Sequence, residues 1–575
     1  ELFGGNAAGS LFGVHALLDR FMGVRWLWPG ELGEVVPEAA TVTIPETELT
    51  FEPQMQQRML RSAMELFARM GAADVMTEEQ YDKVHADERI WLRRQRMGWP
   101  KYIHHGHAFG GYWERFGETH PEYFNLLPSG KREPLVHPKY ISMCVSQPAL
   151  WQQMVDDWKA KRDENLGAFL NINACENDTD GLCMCDECMA WDVPNPTDEI
   201  DFENRRAVMA ENFETMAGKD YRWRSGIGTV SDRYARYYLE VQKLAQEIDP
   251  DVMVCGYAYG NYRKPPLATE LNENIVLAYV PGVWYPEDQD VLAARRAEWM
   301  GWREAGARLM LRPNSFLAGF SMPYIFAEEF GHEFKFALEN GMIGTDFDSL
   351  TGMWGAQAPN LYMLGRLHAR PDLTPEEVMV EFYAAFGAGG PRVREYFDHW
   401  AAISADIRPK LDGLAWHGLA GIIHEVYTAE MFAEVARMLA QATRDAGDDE
   451  ASAARAKFLR AGLENARLTW EMARVFARED STVAEQVRAG AELDAFRQNN
   501  MTSNAVNMVV ASWTEKRYWQ RWPTAMLQDK QIVDSLPVTW KLQWDPDEVG
   551  ADEQWFADDL DTAGWLSVET DRAWE

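Results

Sequence analysis

The chain has 575 residues, of which 46% are hydrophobic and 25% charged, so it exceeds one ordinary domain and can bury a large core. Its 90 acidic and 56 basic residues give a formal net charge of -34, a surface that repels phosphate backbones and anionic membranes. We therefore predict no nucleic-acid partner. No apolar run reaches the roughly 18 residues that a spanning helix needs, which predicts no membrane insertion.

Residues 1–48 combine a Gly-rich start with apolar residues at helical spacing, among them Leu11, Val14 and Leu18, and Gly23 as a C-cap. The runs "VRWLWPG" and "ATVTI" then alternate like strands. This pattern predicts the C-terminal part of a small α/β domain. Because the sequence lacks an initiator Met and a leader, we expect a longer precursor and a secreted, periplasmic or cell-surface location.

Residues 49–375 alternate short apolar runs with helical stretches such as 147–164 and 231–248, which predicts a (β/α)8 TIM barrel. A doubly wound open sheet is the alternative, but no Gly-rich phosphate turn follows the first strand. The eight predicted strands are 57–62, 102–107, 140–146, 168–174, 252–259, 275–280, 308–313 and 342–347.

Two further regions follow the predicted barrel. Residues 376–530 consist of Ala-rich segments with 3.6-residue periodicity and predict an all-α domain. Residues 531–575 place tryptophans between short strand-like runs, which is typical of the beginning of a galactose-binding-like β-sandwich, here truncated.

The C-terminal ends of the strands carry the chemistry in barrels of this class. Here they carry carboxylates, amides and aromatic rings, a combination that suits a sugar, since carboxylates supply acid and base and rings stack on sugar faces. These residues are His107 after the second strand, Glu176, Asn177 and Asp178 after the fourth, Tyr257 and Tyr259 at the fifth, Tyr279 and Trp284 at the sixth, Arg312 and Asn314 after the seventh, and Asp346, Asp348 and Trp354 at and after the eighth.

Glu176, Asp178 and Asp348 are the predicted catalytic carboxylates, and the remaining residues are predicted to bind substrate. Each of these residues could instead have a purely structural role. Acidic residues after strands also cap the following helix, and a buried histidine or tryptophan is often a packing residue.

Three of the six cysteines, Cys183, Cys185 and Cys188, form a C-x-C-x-x-C pattern after the fourth strand. Thiolates at this spacing can share a tetrahedral zinc, with Cys175 or an Asp or His as the fourth ligand. A disulfide within the loop is the alternative. Both interpretations make the cysteines structural, and we predict no cofactor for catalysis.

The segments "ERIWLRRQRMG", "HPEYFNLLPSGKR", "NINACENDTDGLCMCDEC" and "ENGMIGTDFDSL" resemble successive motifs of a bacterial family called domain of unknown function 4838. Its characterised members are similar to glycoside hydrolase family 163, which comprises retaining endo-β-N-acetylglucosaminidases of complex N-glycans. The resemblance matches Asn177 and Asp178 to the Asn-Asp pair of the family, His107 to its Gly-His turn, and the three clustered cysteines to its cysteine motif.

Two departures from the family pattern indicate a different subfamily. Asp348 stands where many members have Glu, and Arg312 and Asn314 stand where many have a Trp-Tyr-Asn type sequence.

The resemblance implies a retaining glycosidase, with Glu176 or Asp178 as acid/base and a 2-acetamido group of the substrate as internal nucleophile. Tyr259 or Tyr279 would hold the amide oxygen. If two carboxylates act directly, Asp348 is the second. The partner is then an oligosaccharide or glycan, and the sequence sets no oligomeric state.

Two alternatives remain. An α-glucuronidase-like exo-enzyme would use Arg312 to bind a sugar carboxylate, and a non-catalytic barrel would bind a glycan without cleaving it.

Overall fold

The computed structural model describes residues 7–46, 52–69, 75–99, 102–165, 170–178, 181–216, 224, 226–282, 284–519, 539–542, 563 and 565–569.

The N-terminal segment begins with α1 (Ala7–Met22), which confirms the predicted helix. Gly23 ends it with φ 71°, the left-handed conformation that glycine adopts without steric cost. Two short strands, β1 (Arg25–Trp26) and β2 (Glu34–Val35), pair antiparallel. The prediction of a strand at "ATVTI" is wrong, because residues 40–44 form no ladder and are exposed.

The centre of the molecule is a curled six-stranded parallel sheet. Its order is β3-β8-β7-β6-β5-β4, so the first strand pairs with the last, as in a barrel. The predicted TIM-like barrel with a helical region after it is therefore confirmed. The strands are β3 (Gln57–Ser62), β4 (Ile172–Asn173), β5 (Val254–Ala258), β6 (Ile275–Tyr279), β7 (Arg308–Leu311) and β8 (Met342–Leu350).

The prediction of a strand at 102–107 is wrong, although this segment lies between β3 and β4, the two edge strands of the curled sheet. Side-chain amides replace the backbone ladder there. The amide oxygen of Gln57 accepts from the Ile103 N–H at 2.9 Å, and Asn171 bonds the N–H and the carbonyl of His104 at 2.6 and 2.8 Å. The backbone groups of the segment are thus paired without a β-strand geometry.

The strand predicted at 140–146 is also wrong. This segment lies beyond the end of β4, where the Asn177 side chain donates to the Ile141 carbonyl at 2.9 Å. The Asn125 N–H donates to the Ser142 carbonyl, and Phe124 and Met143 form an isolated bridge. The segment therefore packs on the loop after β4 and not in the sheet.

Helices surround the sheet, and those predicted at 147–164 and 231–248 are confirmed. None of the described helices is long and apolar enough to cross a membrane. The helices up to the end of the barrel are α2 (Ala63–Phe67), α3 (Glu78–Arg94), α4 (Tyr112–Phe116), α5 (Pro148–Glu164), α6 (Asp186–Ala190), α7 (Arg205–Met216), α8 (Ser231–Ala245), α9 (Gln289–Glu304), α10 (Ala327–Glu339) and α11 (Trp354–Ala369).

The helical region packs directly against the barrel. Every residue of α11 is buried, and Gly355 of this helix would place a Cβ only 2.7 Å from the Cα of Gly462, so two glycines permit the close crossing. The helices of the region are α12 (Pro375–Ala384), α13 (Gly390–Ile407), α14 (Leu419–Val426), α15 (Ala429–Asp445), α16 (Glu450–Phe476), α17 (Val483–Asn499) and α18 (Met508–Trp519).

Beyond the helical region, β9 (Thr539–Leu542) and β10 (Leu566–Glu569) form an antiparallel pair. Most of the predicted sandwich segment, 531–575, lies outside the described residues.

A buried ion cluster ties α1 to the barrel. Asp19 is 1% exposed and accepts from Arg366 of α11 at 2.8 and 3.0 Å, from Arg25 at 2.9 Å and from Arg96 at 3.3 Å. Burial by itself would raise the pKa of Asp19, but Arg366 and the neighbouring guanidinium groups lower it overall. The N-terminal helix is therefore an integral part of the packed structure.

We expect Asp19→Asn to lower the free energy of unfolding by about 3–5 kcal/mol, because it leaves buried guanidinium groups without their anion. Asp372→Asn is the control: Asp372 pairs with Arg370 at 2.8 Å but is 48% exposed, and its loss should cost less than about 1 kcal/mol. Urea unfolding at neutral pH measures both. Because the folded-state pKa of Asp19 is lowered, its contribution is complete above the unfolded-state pKa and is lost as the pH falls through the folded value. Equal losses in the two variants would contradict this role.

Candidate active site

The carboxylate of Asp346, in β8, lies at the centre of the barrel mouth and is fully buried. Arg61, at the end of β3, binds it with two hydrogen bonds of 2.8 and 2.6 Å. His105 donates to it at 2.6 Å, and Arg312 lies 3.5 Å away. Burial would raise the pKa of Asp346, but these three cations hold it well below its usual range. The neighbouring cations therefore stabilise the ionised form of Asp346.

His105 is held as a cation by two acceptors. Its Nδ1 lies 2.8 Å from the Ile103 carbonyl and its Nε2 lies 2.6 Å from Asp346. A carbonyl and a carboxylate can only accept, so both ring nitrogens donate. Although burial lowers the pKa of His105, the charge of Asp346 raises it overall.

Asp348 lies two residues along β8, on the same face of the strand, and remains 23% exposed. Its Oδ2 accepts from Arg312 at 2.8 Å. Its Oδ1 has no hydrogen-bond partner among the described residues, and the nearest cation, Arg61, is 3.9 Å away. Asp348 is thus anchored by one oxygen, whereas the other is buried and has no hydrogen-bond partner among the described residues.

Arg312 connects the carboxylates to the aromatic side of the mouth. Its guanidinium lies 5.2 Å from the ring centroid of Tyr257 and donates to Asn314 at 3.2 Å. Burial lowers the pKa of Arg312, but Tyr257 and the two carboxylates raise it above its ordinary value. The Tyr257 hydroxyl is buried and has no hydrogen-bond partner among the described side chains.

His107 continues the line of contacts towards β4. Its ring centroid lies 5.7 Å from that of Tyr257, and its Nδ1 donates to the Glu176 carbonyl at 2.8 Å. Gly106 has φ 128°, a conformation that a side chain disfavours, and this turn leaves His107 exposed. Contacts therefore run from Glu176 through His107, Tyr257 and Arg312 to Asp348.

The carboxyl group of Glu176 is enclosed, with 1% of the residue exposed. Its Oε2 accepts from Ser142 Oγ and the Met143 N–H, both at 3.2 Å, and from the Tyr234 hydroxyl at 3.0 Å. Burial raises the pKa of Glu176 to about 7, against the opposing effect of these hydrogen bonds. The structure encloses this carboxyl in a protein shell and does not present it to solvent.

Asn177 and Asp178 follow with opposite exposures. Asn177 is 2% exposed, and its oxygen accepts from the Phe109 N–H at 3.2 Å while its nitrogen binds the Ile141 carbonyl. Asp178, which follows the hydrogen-bonded Asn177, is exposed. Of the two predicted acids after β4, only Asp178 is therefore open to a ligand.

Three predicted substrate-binding residues lie within the packing. Tyr279 donates its hydroxyl to Glu298 of α9 at 2.8 Å. Trp284 is 5% exposed and donates to the Leu414 carbonyl at 3.0 Å. Trp354 is 2% exposed, and its ring meets Trp91 edge-on at 4.7 Å. Protein neighbours account for the position of each ring.

Tyr259 is half-buried, with its ring centroid 6.3 Å from that of Tyr257. It is therefore the one predicted tyrosine that lies beside the mouth and keeps some exposure.

Sequence reasoning missed Arg61, Ser142 and Tyr234. Arg61 lies near the C-terminal end of β3, the first strand of the barrel. Because functional side chains of such barrels lie at the C-terminal ends of strands, it could have been predicted from the sequence. Ser142 and Tyr234 carried no such signal, because one lies in an irregular segment and the other on a helix.

The fourth cysteine near the predicted cluster is Cys144. The four sulfurs of Cys144, Cys183, Cys185 and Cys188 all lie within 4.8 Å of one another. Cys175, which was one of the candidates for the fourth ligand, lies outside this cluster. Its sulfur lies 3.8 Å from the carbonyl of Cys255 in β5.

Comparison with solved structures finds similarity to a family 89 glycoside hydrolase from Clostridium perfringens in complex with PUGNAc. The TM-score is 0.38 at 12% sequence identity, covering 92% of this chain and 70% of that chain. A likeness this low carries no argument about activity. No curated protein matches the chain significantly. The profile of the family described as domain of unknown function (DUF4838) matches residues 28–398. Since this match covers more than half of the 575 residues, the chain belongs to the DUF4838 family.

Proposed function

We propose that this protein is a glycoside hydrolase whose site is the barrel mouth. The supporting observation is that two carboxylates, the exposed Asp178 after β4 and the partly exposed Asp348 in β8, belong to strands of one parallel sheet. The mouth also contains a Tyr257 hydroxyl and an Asp348 oxygen without hydrogen-bond partners among the described residues. Buried polar atoms without partners are uncommon in native proteins, and hydroxyl-rich ligands can satisfy them.

Asp178 is the proposed acid/base. Its exposed carboxyl is accessible to a bound sugar, as a group that transfers a proton to the leaving oxygen must be. Asp348, fixed by Arg312, is the proposed second carboxylate. Glu176 is a positioning residue, since its hydrogen bonds join the loop after β4 to the segment of Ser142 and Met143 and to Tyr234 of α8.

The finer assignment is a retaining β-N-acetylglucosaminidase of endo type, which rests on the family resemblance. In that reaction the acetamido oxygen attacks the anomeric carbon while Asp178 protonates the leaving oxygen. Asp348 orients the amide, and Asp178 then takes a proton from the water that opens the resulting oxazoline.

A uronic-acid-directed enzyme is less well supported. Its recognition would need a free guanidinium fork. Arg312 already donates to Asn314 and Asp348, and its Nε lies 3.5 Å from Asp346. A non-catalytic glycan-binding barrel would bind oligosaccharides without releasing reducing ends.

We expect Asp178→Asn to lower kcat by about 100-fold or more with unchanged thermal stability, because an exposed amide cannot donate the proton. The substrate is found first by screening N-glycans and plant or algal oligosaccharides for products by mass. Asp156→Asn, the same change at an exposed position of α5, is the control and should leave kcat unchanged. Turnover by Asp178→Asn at the rate of the unaltered protein would refute the acid/base role.

Glu176→Gln tests the positioning role. Because the folded-state pKa of Glu176 is raised to about 7, the folded protein keeps a proton that the unfolded chain releases above about pH 4.5. Glu176 should therefore contribute up to about 3 kcal/mol to the free energy of unfolding at low pH, a contribution that is lost as the pH rises between those values and that Glu176→Gln should remove.

Glu88→Gln is the matched control, since burial also raises the pKa of Glu88 in α3 to about 7. It should flatten the stability profile comparably and leave the pH profile of kcat unchanged. We expect Glu176→Gln to lower kcat less than Asp178→Asn does. Loss of the alkaline limb of the kcat profile in Glu176→Gln would instead identify Glu176 as the acid.

The role of Asp348 can be tested with azide. If the acetamido group is the nucleophile, Asp348→Gly loses turnover and azide does not restore it, because no covalent carboxylate ester forms. A substrate with a trifluoroacetamido group should also react more slowly with the unaltered protein. Formation of a glycosyl azide by Asp348→Gly would show that Asp348 itself is the nucleophile.

A further inference from the structure

The four-cysteine cluster beside the mouth has the geometry of a closed metal site. Cys144 lies in the segment before α5, and Cys183, Cys185 and Cys188 lie in the loop after β4 and the start of α6. All four are buried, and none belongs to the proposed reaction. The Cys144 sulfur lies 3.6 Å from that of Cys185 and 3.9 Å from that of Cys188.

These distances distinguish metal from disulfide. A disulfide joins two sulfurs at about 2 Å and leaves the others apart. Four sulfurs bound tetrahedrally at about 2.3 Å from one ion lie about 3.8 Å from each other. Cys144 is nearly equidistant from two sulfurs at separations close to the second value, which is the arrangement of a shared ion.

The surrounding donors suit thiolates. The Leu126 N–H points to the Cys183 sulfur at 3.3 Å, and the Cys188 N–H points to the Cys185 sulfur at 3.4 Å. Ser146 Oγ lies 3.1 Å from the Cys188 sulfur. Such hydrogen bonds orient the ligands and offset the negative charge that four thiolates carry.

We propose that Cys144, Cys183, Cys185 and Cys188 bind one structural zinc ion. Four sulfur ligands leave no open coordination position, so the ion performs no catalysis. The site joins the segment that contains Ser142 and Met143 to the loop after β4. Because Ser142 and Met143 donate to Glu176, the ion fixes the segment that holds this carboxyl.

The first test is the metal content of the full chain, purified without chelator and measured by plasma mass spectrometry. We expect about one zinc per chain, and alkylation of all six cysteines in the denatured protein without a reducing agent. Replacement of zinc by cobalt should give the intense absorption of a tetrahedral cobalt tetrathiolate. Absence of stoichiometric metal, iron in place of zinc, or a disulfide among the four cysteines would overturn the proposal.

Two variants locate the site. Cys144→Ala should lose the zinc, whereas Cys175→Ala, a buried cysteine of the same region outside the cluster, should keep it. Hydrogen exchange should become faster in peptide 139–147 of the zinc-depleted protein and stay unchanged in β6. Equal zinc contents in the two variants, or unchanged exchange after zinc removal, would contradict the assignment. Neither readout depends on glycosidase activity.

Discussion

The compensation of one buried negative charge organises the barrel mouth. Asp346 is fully buried, and an isolated carboxylate in that position would be neutralised or would destabilise the fold. Its partners come from three separate places: Arg61 from β3, His105 from the segment between β3 and β4, and Arg312 after β7. The contacts that stabilise this anion therefore connect β8, which contains Asp346, to β3, to the segment between β3 and β4 and to the end of β7.

The orientation of the Asp348 carboxylate depends on this arrangement. Arg312 is oriented by Asp346 and in turn holds one oxygen of Asp348 at 2.8 Å. The other oxygen of Asp348 is held in a fixed position, where it is buried and has no hydrogen-bond partner among the described residues. A fixed carboxylate next to a fixed cation is useful in catalysis, because the orientation is established before substrate binds.

The irregular side of the barrel serves the site in a different way. Between β3 and β4, hydrogen bonds from the side chains of Gln57 and Asn171 to the backbone of Ile103 and His104 replace a backbone ladder. The side chains of this segment therefore need not alternate between the two faces of a sheet. His105 can consequently point into the sheet while His107 remains exposed. Further along the chain, the segment at 140–146 is free to contact both Glu176 and the cysteine cluster.

The sequence by itself determined the parallel α/β architecture, most strand positions and the helical region, because hydrophobic periodicity and chain order are local properties. It also placed Asp346, Asp348, Asp178 and the three-cysteine loop near one end of the sheet. Only the tertiary structure separated Glu176 from Asp178, since enclosure depends on Ser142 and Tyr234, which are distant in sequence. Likewise Cys144, and not Cys175, joins the cluster, because sulfur proximity is decided by how two segments pack and not by spacing along the chain.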